Sequence, residues 1–307
     1  MRYIYRVIGD QVPMKNPRLE RLKAAERDIV AFFDNQSTRV FQRSDIGRIV
    51  SEHRERWRLT DSTTVQDFIG FLLRNTQMLM ERIEFSRRPM IRYTWGQVGT
   101  HEIVLSWHPD SYLSHYTAVY LHDLTEQIPK TIYLNLEQRR KVTFSGPLTQ
   151  QGIDTAFKRP MRRSKTVAHF RDFEICLLNS MGMENLGVVE SSGPEGETIR
   201  LTNLERTLID ITVRPGYAGG VFEVLKAFRN AKGKVSINRL GAMLKRLDYI
   251  YPYHQAIGFY LDRAGVYDES SIRLLRKIEM NCDFYLAHGI KDPDFSKEWR
   301  LFFPKGL

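Results

Sequence analysis

The chain has 307 residues, of which 42% are hydrophobic and 27% are charged, a composition typical of a folded protein. The usual domain sizes predict about two domains at this length. Its 46 Lys and Arg residues outnumber its 36 Asp and Glu residues, for a formal net charge of +10. This surplus favours a polyanionic partner such as nucleic acid, although a basic surface can also serve solubility alone.

The cysteines and the apolar segments exclude several classes of protein. Cys176 and Cys282 lie in separate apolar stretches without a CxxC pair or a Cys/His cluster, so we expect buried thiols and no zinc site. The N-terminal sequence MRYIYRVIGDQVP lacks the long apolar segment of a secretory signal. No uncharged run approaches the ~20 residues that cross a bilayer. We therefore expect a cytoplasmic protein with no membrane partner.

Three helical patterns follow one another after an N-terminal arm. Apolar residues at three- and four-residue spacing predict a first helix from Leu19 to about Asn35. The second helix is predicted to begin at Ser44, whose hydroxyl can cap it. The third is predicted to begin near Thr63, at the end of the capping sequence DST.

A β-hairpin is predicted directly after these helices. Beyond Asn75 the apolar spacing changes to two residues, and a turn at residues 86–89 (SRRP) separates two extended runs. The second run spans Met90 to Trp95 and is closed by glycines. Three helices followed by a hairpin is the order of a winged helix-turn-helix, which we predict at residues 18–98.

This domain would bind double-stranded DNA with its third helix in the major groove and its hairpin near the backbone. Gln66 could pair with adenine, and Arg74 with guanine or a phosphate, while the other arginines suit phosphate contacts. The predicted DNA-binding residues are Arg43, Thr63, Thr64, Gln66, Arg74, Asn75, Arg87, Arg88 and Arg92. Winged helices also serve as protein-interaction modules, but the cationic turn favours DNA.

Residues 101–290 are predicted to form a mixed α/β domain whose C-terminal half is helical, and residues 291–307 to form a tail. A helix is predicted at Tyr112–Leu124 and strands at 130–136 and 164–178, with 187–190 pairing with 198–201. Another helix is predicted to begin at Thr202, whose hydroxyl would form a capping box with Glu205. Further helices are predicted at 220–231, 237–247, 253–264 and 269–281, and the tail as a strand or an irregular segment. The fold class is therefore α+β.

A second basic cluster lies in this larger part of the chain. Like charges so close in sequence repel one another, which predicts an exposed segment that attracts an anion. The cluster could extend the DNA footprint, hold an acidic or RNA-like partner, or be a solvated loop. It consists of Arg139, Arg140, Lys141, Lys158, Arg159, Arg162, Arg163 and Lys165.

The sequence lacks several common catalytic motifs. It has no GxSxG, HExxH, P-loop or correctly flanked GxGxxG. His115 and His122 lie a heptad apart on one predicted helix, a weak metal-ligand spacing for which a structural role is the better interpretation. Asp154 and Glu174 could belong to a nuclease carboxylate set, but Glu174 lacks the Glu-x-Lys pattern of such sites. We predict no enzyme, no cofactor and no metal.

Two segments resemble those of AbiEi-type antitoxins of type IV toxin–antitoxin systems. Ser114–Leu136 (SHYTAVYLHDLTEQIPKTIYLNL) resembles one stretch of that family, and Thr202–Gly220 (TNLERTLIDITVRPGYAGG) resembles another. The second match is the more specific. The residues that carry it are Glu205, Arg206, Thr207, Asp210, Arg214, Pro215, Ala218, Gly219 and Gly220.

The resemblance implies a transcriptional repressor of its own operon, which binds inverted repeats in its promoter through the N-terminal winged helix. Its C-terminal domain would oppose a nucleotidyltransferase-like toxin in abortive infection, a bacterial defence against phage. A solitary winged-helix regulator or a protein-interaction module is the alternative.

Part of the second motif has a structural explanation. Arg206 and Asp210 lie four residues apart and could pair along a helix surface, which is worth about 0.3 kcal/mol. Pro215 would end that helix, and Gly219-Gly220 would permit a tight entry into the next.

Overall fold

The computed structural model describes residues 17–85, 88–138 and 146–307. The fold is α+β, and the chain divides into two units. Of the described residues, the first unit contains 17–82 together with Ile91–Val98. The second unit contains Ile83–Met90 together with Gly99–Leu307.

The first unit consists of four short helices and three strands in its described residues. They are α1 (Pro17–Ala24), α2 (Glu26–Asp34), β1 (Val40–Phe41), α3 (Arg43–His53), α4 (Val65–Asn75), β2 (Met78–Phe85) and β3 (Met90–Trp95), with the ends of the hairpin strands in the second unit. β1 pairs antiparallel with β3. The predicted first helix is two helices with a break at Ala25. The cap of α3 is Gln42, in a capping box with Asp45, and not Ser44 as predicted.

Aromatic side chains fill the core of the first unit. Trp95 stacks on Phe33 with 4.9 Å between ring centroids, and Trp57 stacks on Phe68 at 5.6 Å. Trp95 Nε1 donates to Asp34 Oδ1 at 2.7 Å, so the buried indole N–H is satisfied. The side of α4 that packs on this core carries Phe68, Ile69, Phe71 and Leu72, while Val65 is only half-buried. The packing fixes which face of α4 remains exposed.

The first half of the second unit is a mixed sheet with short helices. Its elements are α5 (Thr100–Leu105), β4 (Tyr112–Leu113), α6 (His115–Leu121), β5 (Thr131–Gln138), α7 (Gln150–Phe157), β6 (Val167–Phe170), β7 (Phe173–Met181), β8 (Val188–Ser192) and β9 (Thr198–Thr202). The strand order is β6-β7-β5-β4-β9-β8, in which β5–β7 and β4–β9 are parallel. The predicted strand at 130–136 and the pairing of 187–190 with 198–201 are confirmed. The predicted strand at 164–178 is instead two antiparallel strands, β6 and β7. The predicted helix at Tyr112–Leu124 is instead β4 followed by the shorter α6.

Helices form the second half of this unit, as the sequence predicts. They are α8 (Leu204–Val213), α9 (Val221–Asn230), α10 (Ile237–Leu247), α11 (Tyr253–Ala264) and α12 (Glu269–Arg276). The last helix ends five residues earlier than the predicted 281. Three short strands follow, β10 (Phe284–Tyr285), β11 (Pro293–Ser296) and β12 (Leu301–Pro304), in the order β10-β12-β11. No helix in the described ranges is long and apolar enough to cross a membrane.

Residues 291–307 contribute to the core of the second unit. Trp299 is completely buried, and its Nε1 donates to Asp262 Oδ2 at 3.2 Å. The ring lies directly against Gly258 of α11, where an added Cβ would be 2.0 Å from Trp299 Cζ3. Gln255 Nε2 donates to the Trp299 carbonyl at 2.8 Å. The segment therefore packs onto α11. Because it contains β11 and β12, it agrees with the strand alternative predicted for the tail.

Candidate functional site

The exposed face of α4 carries two of the predicted DNA-binding side chains. Gln66 and Arg74, with Gly70 between them, follow one another at four-residue spacing and so share one face. Arg43 at the start of α3 contacts this face, because its Nη1 donates to Gln66 Oε1 at 2.6 Å. Arg74 lies over Gly70, where an added Cβ would be 3.3 Å from its Nη1. Arg43, Gln66 and Arg74 are exposed, and we call these three residues the α4 patch.

Two further predicted residues complete the ends of α4. Thr64 is the N-cap: its Oγ1 accepts from Asp67 N at 3.1 Å, and its own N donates to Asp67 Oδ2 at 3.0 Å. These bonds to Thr64, with a smaller contribution from Arg18, lower the pKa of Asp67. At the other end, Asn75 Nδ2 donates to the Phe71 carbonyl at 2.8 Å. Both side chains are exposed, but each already forms a hydrogen bond at one end of α4.

Thr63 and Arg92 do not face outward, so the structure corrects these two predictions. Thr63 is 1% exposed, with its hydroxyl 2.8 Å from Thr60 Oγ1. Arg92 is 7% exposed because β3 is buried at every position except Ile91, and burial lowers the pKa of the Arg92 guanidinium. Strand alternation alone does not show whether both sides of a strand are buried. Neither side chain is available to a ligand.

The basic segments are described only in part. Arg88 is exposed in the turn between β2 and β3, whereas Arg87 lies outside the described residues. The same holds for Arg139, Arg140 and Lys141. The remaining members of the second basic cluster are exposed and lie on an irregular segment, as predicted: Lys158, Arg159, Arg162, Arg163 and Lys165.

That segment is held to the second unit by its uncharged residues. Ser164 N donates to the Tyr217 hydroxyl at 2.7 Å, and Ser164 Oγ donates to the Leu177 carbonyl at 2.5 Å. Met161 packs with the buried Cys176 and Tyr217. Uncharged contacts thus fix the backbone, and the cationic side chains extend from it.

The family-motif residues of α8 form a buried ion-pair network. Arg206 Nε donates to Asp210 Oδ1 at 2.8 Å, and Arg206 Nη1 donates to the Leu186 carbonyl at 2.7 Å. The predicted pairing of Arg206 with Asp210 is confirmed, but the two side chains are only 3% and 8% exposed, so its predicted place on the helix surface is wrong. Helices α6, α9, α10 and α11 all pack around α8, which explains the burial. Burial raises the pKa of Asp210, and the adjacent guanidinium opposes that rise.

Polar side chains of the sheet extend this network. Glu137 Oε1 lies 3.9 Å from Arg206 Nη1 and accepts from the Tyr112 hydroxyl at 3.2 Å. Asn135 Nδ2 donates to the Tyr112 hydroxyl at 2.5 Å and to Ser180 Oγ at 2.8 Å. Buried charges require this degree of hydrogen bonding to be tolerated.

The predicted capping box of Thr202 and Glu205 is not formed. The N-cap of α8 is Asn203, whose Oδ1 accepts from Arg206 N at 2.9 Å, because Thr202 is the last residue of β9. Thr202 Oγ1 instead contacts Thr207 Oγ1 at 2.8 Å. Glu205 Oε1 accepts from Ser236 N at 3.0 Å and Arg239 Nε at 3.1 Å. Glu205 therefore holds the beginning of α10 and does not cap its own helix.

The end of the motif has the predicted backbone roles. Helix α8 ends at Val213, and Pro215 begins a short 3-10 turn. Gly219 and Gly220 have φ angles of +77° and +98°, which residues with a side chain rarely adopt. They turn the chain into α9, while Arg214 remains half-exposed.

The histidines and carboxylates considered for catalysis do not meet in one site. His115 is buried, with Nδ1 2.9 Å from Ser114 Oγ, and burial together with Arg214 and Arg206 lowers its pKa to about 3. His122 Nε2 lies 2.7 Å from the Thr202 carbonyl. Asp154 accepts from Gln150 and Tyr285, while Glu174 is exposed on β7. Across 17–85, 88–138 and 146–307, no group of three or more His, Cys, Asp or Glu side chains could hold a metal ion.

These elements define an α+β protein whose second unit is built around a buried, charged helix.

No protein-family model matches the chain, and no curated protein matches it significantly. Among solved structures, it is similar to the crystal structure of the RV2827C protein from Mycobacterium tuberculosis, with a TM-score of 0.57 and 11% identity. The similarity covers 92% of this chain and 91% of that chain. At this identity the likeness shows a shared fold.

Proposed function

We propose that this chain is a DNA-binding repressor of its own promoter and acts through a winged helix-turn-helix in its N-terminal part. The α4 patch carries this proposal, since it places an amide and two guanidinium groups on the exposed side of one helix pair. The order α3, α4, β2, β3 is the order of a helix-turn-helix followed by a wing. In this assignment α4 is the recognition helix.

The chemistry of the α4 patch suits the major groove. A glutamine amide can pair with adenine through two hydrogen bonds, and arginine binds guanine or phosphate. Arg43 and Gln66 bind each other in the free protein, so DNA would replace one exposed hydrogen bond with contacts to bases and phosphates. Arg87 and Arg88 would contact the DNA backbone from the wing, and the net charge of +10 would strengthen association.

We further propose that the second unit confers antitoxin activity against a nucleotidyltransferase-like toxin. This rests on the resemblance of Ser114–Leu136 and Thr202–Gly220 to AbiEi-type antitoxins. Because Arg206 and Asp210 are buried, these motif residues would maintain the shape of the unit, and any toxin contact would use exposed residues. In this proposal the protein is not an enzyme, needs no cofactor and acts in the cytoplasm.

The test of DNA binding compares the promoter duplex upstream of the gene with a scrambled duplex over a series of salt concentrations. We expect preferential binding to the promoter and a steep loss of affinity with salt. The double variant Gln66→Ala/Arg74→Ala should bind the promoter at least about tenfold more weakly. The matched control is Arg27→Ala, which removes an exposed arginine of α2 and should bind like the parent chain.

Equal and weak binding to both duplexes would contradict the repressor proposal. Co-purification with the product of a neighbouring gene would then favour a protein-interaction module. Antitoxin activity is tested separately, by expressing the chain together with a neighbouring toxin gene and measuring growth. Failure to restore growth, with promoter binding intact, would favour a solitary regulator.

A further inference from the structure

A cavity of about 530 Å³ opens in the second unit beside the end of α8. Its walls come from α8, from strands β5 and β7, from the segment after α7 and from the loop before α11. The volume is in the range of small-molecule sites, which is about 300–1,000 Å³. All of the lining residues belong to the second unit.

The charges at this cavity are predominantly positive. Arg159, Arg162 and Arg214 line it, and in the described part of the chain no ion pair involves any of the three. The one lining carboxylate, Asp210, is already bound by Arg206. The guanidinium of Arg214 also contributes, after burial, to the low pKa of His115 in the same wall, which is the effect of a positive potential. An anionic ligand would therefore find unpaired guanidinium groups here.

Aromatic side chains form another part of the wall. Tyr249 and Tyr251 line the cavity and are partly exposed, and their neighbour Tyr253 anchors the loop by packing on Phe284 at 5.3 Å. His288 lines the cavity too, stacked on Phe157 at 4.2 Å. Ring side chains beside guanidinium groups suit a ligand that combines a planar ring with phosphate.

We propose that this cavity binds a mononucleotide, with Arg159, Arg162 and Arg214 at the phosphates and Tyr249 and Tyr251 at the base. A cavity of this volume holds one nucleotide and is too small for a duplex, which distinguishes this site from the α4 patch. The half-buried Ser180 near the end of β7 also lines the cavity, and its hydroxyl is a hydrogen-bonding group for the sugar or base. The proposal does not depend on DNA binding.

The test is calorimetric titration of the full chain with ATP, GTP, CTP and UTP, each measured without DNA. Inorganic triphosphate and the four nucleosides are the comparison ligands. We expect at least one nucleotide to bind with a Kd below about 1 mM, and its triphosphate and nucleoside parts to bind at least about tenfold more weakly.

Variants identify the site. Arg214→Gln and the double variant Arg159→Gln/Arg162→Gln should each weaken nucleotide binding at least about tenfold. Arg229→Gln removes an exposed arginine from α9, away from the cavity lining, and should bind normally. Circular dichroism and thermal melting show whether Arg214→Gln is folded. The double variant changes only exposed side chains and should fold normally. If Arg214→Gln does not fold, the double variant alone tests whether nucleotides bind in the cavity.

Three outcomes would overturn the proposal. The first is that no nucleotide binds up to about 1 mM. The second is that inorganic triphosphate binds as tightly as every nucleotide, which would indicate a simple anion site. The third is that the cavity variants bind like Arg229→Gln. Because these titrations contain no DNA, their failure leaves the repressor proposal unaffected, and failure of promoter binding leaves the cavity proposal unaffected.

Discussion

Helices α4 and α8 have 11 and 10 residues and begin with the polar N-caps Thr64 and Asn203, yet they differ in what surrounds them. Helix α4 buries one apolar face and exposes a polar one. In α8, eight consecutive residues from Glu205 to Thr212 are buried, three of them charged. The pattern of α4 follows the usual amphipathic rule, whereas α8 carries polar groups into a core.

The difference shows that an arginine acquires its role from the elements packed around it. Arg74 remains in water, so its charge contributes little to folding and is available to a ligand. Arg206 has lost its hydration and depends on Asp210 and the Leu186 carbonyl. Removing Arg74 should therefore affect binding, and removing Arg206 should affect folding.

The largest effect is expected from Arg206→Met. The substitution leaves the Asp210 carboxylate buried without its cation, which costs about 3–5 kcal/mol. Urea denaturation of the purified chain at neutral pH measures the loss. The double variant Arg206→Met/Asp210→Leu should be more stable than Arg206→Met alone, because it removes both charges.

The matched control for this prediction is Arg74→Met on the exposed face of α4. Its free energy of unfolding should change by no more than about 0.5 kcal/mol. Equal losses of unfolding free energy in Arg206→Met and Arg74→Met would contradict this prediction, because burial of the arginine would then have no effect on stability.

Acidification is expected to lower the free energy of unfolding by a smaller amount, because His115 is buried in its neutral form. Its ordinary pKa of 6.5 falls to about 3 in the folded chain, so between these values the unfolded state binds the additional proton. Stability contributed by the neutral ring is complete above about pH 7 and decreases by about 2 kcal/mol on acidification to about pH 5. Burial also lowers the pKa of His101, His122 and His254, which act in the same direction.

The measurement is the free energy of unfolding of the parent chain and of His115→Asn over this pH range. His115→Asn should show a shallower dependence on pH, whatever its stability at neutral pH. An unchanged slope would mean that His115 is already accessible to protons in the folded state.

The smallest effect is expected from Thr64→Ala, which removes the cap of α4. The Asp67 N–H loses its acceptor, and the loss should be about 1 kcal/mol in thermal or urea denaturation. Thr64→Ser is the control, since it retains the hydroxyl. A loss in Thr64→Ser equal to that in Thr64→Ala would indicate that the methyl group, and not the cap, stabilises this end.

Local signals in the sequence were sufficient to predict much of the fold. The hairpin of β8 and β9 and the helices after Gly220 follow from turn residues and apolar periodicity. The capping of α8 did not follow, because Thr202 and Asn203 are both good caps and only the end of β9 decides between them. A spacing of four residues describes a surface pair and a buried pair equally well, so it does not reveal that Arg206 and Asp210 are buried.

Local sequence patterns also predict only part of the candidate sites. Gln66 and Arg74 could be predicted from helix periodicity, but their contact with Arg43 depends on how α3 packs against α4. Strand alternation groups Arg92 with Met90 and Thr94 without showing that this side is buried. Tyr249 and Tyr251 belong to a loop without a period, so no local pattern indicates that they share a cavity with Arg214.

The contact between Gly258 and Trp299 has an evolutionary consequence. Since even a methyl group at position 258 would overlap the indole ring, neither residue can change freely while the other is kept. Among relatives of this chain, the two positions should covary: a larger residue on the helix should accompany a smaller one in the C-terminal segment. Such a pair would mark lineages in which this segment packs against α11 in the same way.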